Sequence, residues 1–189
     1  NNYSDEWVSE AERCGLLNLK TTVDARPMFI TPKNIELFVK HGVYTESEMH
    51  SRYEIQMENY CKTLHIEALT MVDMVKEAVI PTCVDYQNEL AKLLGQKKAC
   101  GEYDVSLEEY LLSSISKLCS CLLKQLTVLE NALLESKDDR KILAQASFYR
   151  DKIFTAMSEL RLIVDELETL VARKHWPFPT YAELLYSVV

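Results

Sequence analysis

The 189-residue chain sets 21 Lys and Arg against 29 Asp and Glu, for a formal net charge of −8, and is 48% hydrophobic and 26% charged. That excess of acid argues against a nucleic-acid surface, which needs clustered cations to neutralise phosphates, while the apolar share is that of an ordinary folded protein. The chain has no run of 18 apolar residues to span a bilayer and no basic-then-apolar leader, so it reads as a cytoplasmic protein.

In chain order, residues 3 to 15 predict a short helix, with Ser4 as cap, Asp5 and Glu6 at its positive end and Gly15 as its stop. Residues 16 to 30 lack helical periodicity and contain Pro27, which predicts an extended connection. Thr31 before Pro32, and His41-Gly42 behind, bound a second short helix at 32 to 41.

Thr45 and Glu48 form a capping box at the start of a long helix. Met49, Tyr53, Met57, Tyr60, Leu64, Ala68, Met71, Val75 and Ala78 then recur at spacings of three and four, which puts them on one face. Pro81 removes a ladder bond and meets the carbonyl of Glu77, so a kinked helix is expected from about 46 to 94, with a loop from Gly95 to Val105. Ser106 and Glu109 read as a second capping box, opening a helix to about 135 whose stripe is Leu111, Ile115, Leu118, Leu122, Leu126, Leu129 and Leu133. The SKDDR segment predicts a tight turn and an antiparallel third helix about 45 Å long, striped by Ile142, Ala146, Tyr149, Ile153, Met157, Leu160, Val164, Leu167 and Val171. Pro177 and Pro179 force an extended path after Arg173 and Lys174, and Thr180 with Glu183 caps a last short helix through Tyr186. The expected fold is all-α: an antiparallel bundle of three long amphipathic helices, the first kinked near Pro81, with short flanking helices. The tail, with Trp176, Phe178, Tyr181, Leu184, Leu185 and Tyr186, is dense enough in apolar groups to require packing on the bundle or on a partner.

Little in the chain reads as chemistry. His41, His50, His65 and His175 stand in separate contexts, and His65 and Glu67, two positions apart on a helix, face away from each other. The paired carboxylates Glu108-Glu109, Asp138-Asp139 and Asp165-Glu166 suit helix starts or solvated faces. Gly15, Gly42, Gly95 and Gly101 are isolated, so no loop cradles a phosphate. Cys14, Cys61, Cys83, Cys100, Cys119 and Cys121 lack zinc-ligand spacing and read mostly as core-filling thiols. No catalytic, cofactor-binding or metal-ligating residue is assigned.

The stretches at 3 to 22, 32 to 55, 58 to 74 and 164 to 188, above all HIEALTM and DELETLVARKHWPFPTYAELL, resemble the carboxyl-terminal part of type III glutamine synthetases. The resemblance implies a parent enzyme that condenses glutamate with ammonia using ATP and a divalent metal, Mg or Mn, in a double-ring homo-oligomer. Its catalytic barrel would precede Asn1, leaving no catalytic residue to carry over. The segment KHGVYTESEMHSRY also looks like the last helical pieces of the catalytic fold. Residues 1 to 45 are therefore expected to be the tail of that catalytic domain, and 46 to 189 a bundle with a docked aromatic segment. Such a chain would be noncatalytic, pack subunits and take part in regulation, and Leu118, Leu122, Leu126, Trp176, Phe178, Tyr181 and Leu185 are its candidate packing and interface residues. The alternative is a free-standing helical adaptor or oligomerisation module that binds a partner helix.

Overall fold

The computed structural model describes residues 4–137 and 140–186, with the side chains of Tyr181 and Ala182 left out; Asp138 and Asp139 of the predicted turn lie outside the described residues. The order is α1 (Asp5–Arg13), α2 (Thr22–Ala25), a 3-10 turn (Arg26–Ile30), α3 (Pro32–Lys40), α4 (Glu46–Met74), a π turn (Val75–Val79), α5 (Ile80–Cys100), α6 (Ser106–Glu135), α7 (Ile142–Phe148), a second π turn (Tyr149–Phe154), α8 (Thr155–Leu170) and α9 (Tyr181–Tyr186). Helix follows helix without a strand among the described residues, and the all-α expectation holds. The chain divides into two compact units, Asn1–Lys62 with Arg140–Ser147, and Thr63–Asp139 with Phe148–Val189.

In the first unit, local chemistry sets the helix ends. Ser4 accepts from the Trp7 amide as expected. Gly15 and Gly42 sit at φ +78° and +65°, where only glycine is comfortable. At the second of these, Val43 N–H reaches Phe38 C=O and Gly42 N–H reaches Val39 C=O, each at 3.0 Å, so the orphan carbonyls of α3 are closed by a left-handed cap. Residues 22–30 are helical and not extended as predicted: the Thr21 hydroxyl caps the Asp24 amide, and Pro27 occupies the first turn of the 3-10 segment, where its missing N–H costs nothing. Thr31 does not cap α3, because its hydroxyl donates back to the Met28 carbonyl. The rings of Phe29, Phe38 and Tyr44 meet with centroids 5.7 to 6.4 Å apart, and the Arg52 guanidinium lies 4.6 Å over Tyr44. Met49, Met57 and Ala146 are fully buried here.

The second unit holds the bundle. Its first helix begins in the first unit, where the Thr45–Glu48 capping box forms as read, with Glu48 accepting from the Thr45 amide at 2.8 Å. Pro81 does not stop the helix. Ile80 N–H bonds to Val75 C=O, five residues back, so the wider π turn falls where the proline ring would meet the ladder, and the helix continues. It continues past Gly95 as well, to Cys100; the predicted loop shrinks to 101–105, with Gly101 at φ +153°. A helical glycine costs about 1 kcal/mol. Ion pairs hold the turns around it, Lys97 to Glu108 at 2.6 Å and Lys98 to Glu109 at 2.7 Å. Glu109 is therefore committed to Lys98 and makes no capping box with Ser106; Asp104 accepts from the Ser106 amide instead.

Contacts fix the register. Lys97 with Glu108, Gln87 with Cys119, and Lys76 with Glu130 run in opposite directions along the π turn with α5 and along α6, which are antiparallel. His65 meets Tyr149, and Thr82 meets the His175 carbonyl, so the third helix runs parallel to the first. The core stripes fall inward: Leu64, Ala68, Val75, Ile115, Leu122, Leu126, Leu129, Ile153, Leu160 and Leu167 are all buried.

Candidate functional site

α8 ends at Leu170, Val171 turns to an extended backbone, and the strap that follows contains Pro177 and Pro179, which keep it from resuming the helix. The strap is clasped to α5. The Lys174 Nζ reaches Glu89 at 2.6 Å, His175 Nε2 meets the same carboxylate at 2.7 Å, and the Thr82 hydroxyl donates to the His175 carbonyl. The Tyr86 ring lies 5.4 Å from that of His175. Arg173 binds Glu183 at 2.7 Å and the Trp176 carbonyl at 2.9 Å, and the Thr180–Glu183 capping box forms. Trp176 is thereby buried to 4% exposure.

Lys174, then His175, holds the Glu89 carboxyl below the usual carboxylate range, and Arg173 does the same for Glu183. A depressed carboxyl stabilises the folded state above its ordinary range and ceases to do so as pH falls through its folded value. The clasp is accordingly expected to loosen between about pH 5 and pH 2. In a Trp7→Phe background, Trp176 emission should shift to the red over that interval. Glu89→Gln, which has no carboxyl to protonate, should remove much of that shift, and a shift of unchanged size would contradict the clasp.

Beside the clasp lies a groove of about 520 Å³. Ile66, Met71 and Met74 form one wall and Met157, Leu160 and Val164 the other; Trp176, Phe178 and Leu184 complete the lining. Glu67, Asp165, Glu168 and Arg161 stand along it.

Two polar groupings remain. The Tyr149 hydroxyl donates to Ser136 at 3.3 Å and meets His65 Nδ1 at 3.1 Å, while the Ser136 hydroxyl donates to the Leu133 carbonyl. Ser136 is thus bound to backbone and not aligned as a nucleophile with a base. Cys83, fully buried, is hydrogen-bonded to the half-buried Cys119, which also accepts from Gln87 at 3.7 Å. The Cys83 bond, and then that from Gln87, bring the Cys119 thiol down to about 7, and the Cys83 thiol is pushed up. Burial pushes Cys61 up too. The expectation of mostly core-filling cysteines needs correction, since Cys14, Cys100 and Cys121 are exposed. On an amphipathic helix, apolar character alone does not distinguish the core face from its flanks.

Of the candidate packing residues, Leu122 and Leu126 are buried in the bundle, Leu118 and Phe178 are half-buried, Trp176 is buried under the strap, and Leu185 is 75% exposed. The Tyr181 side chain lies outside what is described. Glu89, Thr82 and the Cys83–Cys119 pair had no sequence signal, because partners 36 to 93 positions apart become neighbours only through the bundle register. Among the described residues no three His, Cys, Asp or Glu side chains converge as metal donors, and no helix is long and apolar enough to cross a membrane.

The family described as the glutamine synthetase C-terminal domain matches residues 1–98, just over half of the chain. A glutamine synthetase of Butyrivibrio fibrisolvens is 39% identical over 189 residues, covering 100% of this chain and 27% of that protein. A type-3 glutamine synthetase of Dictyostelium discoideum is 30% identical over 97% of the chain and 26% of its own length, and a glutamine synthetase of Bacteroides fragilis 25% identical over 98% and 26%. The chain spans about a quarter of the length of these curated relatives. By the family match and the type-3 relative together, the chain belongs to the glutamine synthetase C-terminal domain family and is a homologue of the type III enzymes in that region.

Proposed function

We propose that this chain is the noncatalytic carboxyl-terminal domain of a longer, cytoplasmic type III glutamine synthetase, and that it packs subunits of a double-ring homo-oligomer and takes part in regulating it. The parent reaction is the ATP-dependent condensation of glutamate and ammonia. The observation that carries this reading is coverage: nearly all of the chain aligns with only about a quarter of each relative. The described residues do not fit ATP or a divalent metal, since no donor cluster converges and the glycines stand alone. Those groups belong to the amino-terminal catalytic domain, of which residues 1 to 45 form the tail. The packing role is supported by the apolar surface of α9, where Leu184, Leu185 and Tyr186 are 64%, 75% and 79% exposed.

Removing residues 164–189 from the longer protein tests the proposal by sedimentation velocity and glutamine formation. A smaller species with at least tenfold lower activity is expected. Unchanged assembly and activity would overturn the packing role.

A further inference from the structure

We propose that the groove between the Ile66–Val79 face and α8 is a docking site for a basic amphipathic helix of a partner protein. This goes beyond the packing role and does not depend on it. The two walls run side by side at helical spacing for 14 residues from Ile66 to Val79 and 12 from Met157 to Glu168, a rise of roughly 17 to 20 Å at 1.5 Å per residue. That is the length of a three-turn helix, whose i, i+3, i+4 and i+7 side chains would interdigitate with both walls as a fourth bundle member.

Three methionines, Met71, Met74 and Met157, line the site. Their unbranched, polarizable side chains adapt to differently shaped apolar anchors, as helix-binding grooves require. Ile66 is 64% exposed and Met74 44%, so part of this apolar floor lies in water. The charge along the groove selects the occupant. Three carboxylates, Glu67, Asp165 and Glu168, stand beside one guanidinium, Arg161, which lies 3.5 Å from Asp165. An acidic helix would meet repulsion, whereas Lys and Arg flanking an apolar stripe would find complementary charge. A second copy of this chain, at net charge −8, is the poorer match.

The test uses the 189-residue chain carrying ¹³C-methyl methionine, and a 14-residue Leu/Lys peptide that forms an amphipathic helix. Controls are a scrambled peptide of the same composition and a Leu/Glu peptide. Binding of the Leu/Lys helix should shift the Met71, Met74 and Met157 methyl signals and leave Met28, Met49 and Met57 in place. Ile66→Ser with Met74→Ser, both at exposed positions, should weaken binding at least tenfold. Glu67→Lys with Glu168→Lys should weaken it comparably and flatten its salt dependence. The proposal is overturned by equal binding of the scrambled or the Leu/Glu peptide, by shifts at Met28, Met49 or Met57 instead, or by unchanged affinity in both double variants. It is also overturned if octanoate shifts the groove methionines while no peptide does, which would make the groove a small-molecule site.

Discussion

Leu122→Ala is expected to destabilise the chain by about 2–5 kcal/mol, the range for truncating a fully buried leucine. Leu122 is 0% exposed in the middle of α6, and Ile115, Leu126 and Leu129 continue the same buried face. Truncation removes three side-chain carbons, two of them methyls, from water-free packing and leaves a cavity that two neighbouring helices cannot both collapse into. Leu123, the next residue, is 60% exposed and provides the internal control. Leu123→Ala has the same propensity change but should stay within about 0.5 kcal/mol of the parent. In thermal unfolding under reducing conditions, the first variant should fall on the order of 10 °C and the second hardly at all. Equal losses would mean that α6 does not bury the predicted face.

That contrast indicates what was legible beforehand. The three stripes could be read because helical geometry repeats every 3.6 residues, and the residues on them are buried or half-buried. Reciprocal caps were legible at Thr45–Glu48, and at Thr180–Glu183, where one carboxylate oxygen serves the cap while the other takes Arg173. They misled where a partner had a stronger engagement, as with Glu109 on Lys98 and Thr31 on Met28. Pro81 predicts a kink and Gly95 a stop, yet a π turn admits the proline and the helix runs past the glycine to Cys100. The π turn at Tyr149–Phe154 contains no proline or glycine and so leaves no mark in the sequence.

The candidate site was legible only in outline. The dense apolar tail foretold packing, and Trp176 is buried accordingly, but the clasp on Glu89 joins residues 85 and 86 apart in sequence. Of the groove methionines, Met71 and Met157 fall on the predicted stripes, whereas Met74, 44% exposed, lies off them. Periodicity does not reveal that Met71 and Met74 line an open groove, because an open groove and a filled core share one pattern.

The surface of α9 gives the second large effect. Leu185 and Tyr186 are mostly exposed on a helix held by its capping box and by Arg173 on Glu183. Replacing both with aspartate should leave the stability of the isolated chain within about 0.5 kcal/mol per site, since exposed positions tolerate charge. In a subunit interface the same charges would be buried without partners, at several kcal/mol per contact, repeated by symmetry around the assembly. Neither residue is needed for the methionine-lined groove, so the result bears on packing alone. The decisive measurement is sedimentation velocity of the longer protein carrying Leu185→Asp and Tyr186→Asp. If this domain packs subunits, the full assembly gives way to smaller species while the domain stays folded. If the double variant sediments as the unaltered assembly, the packing role is contradicted.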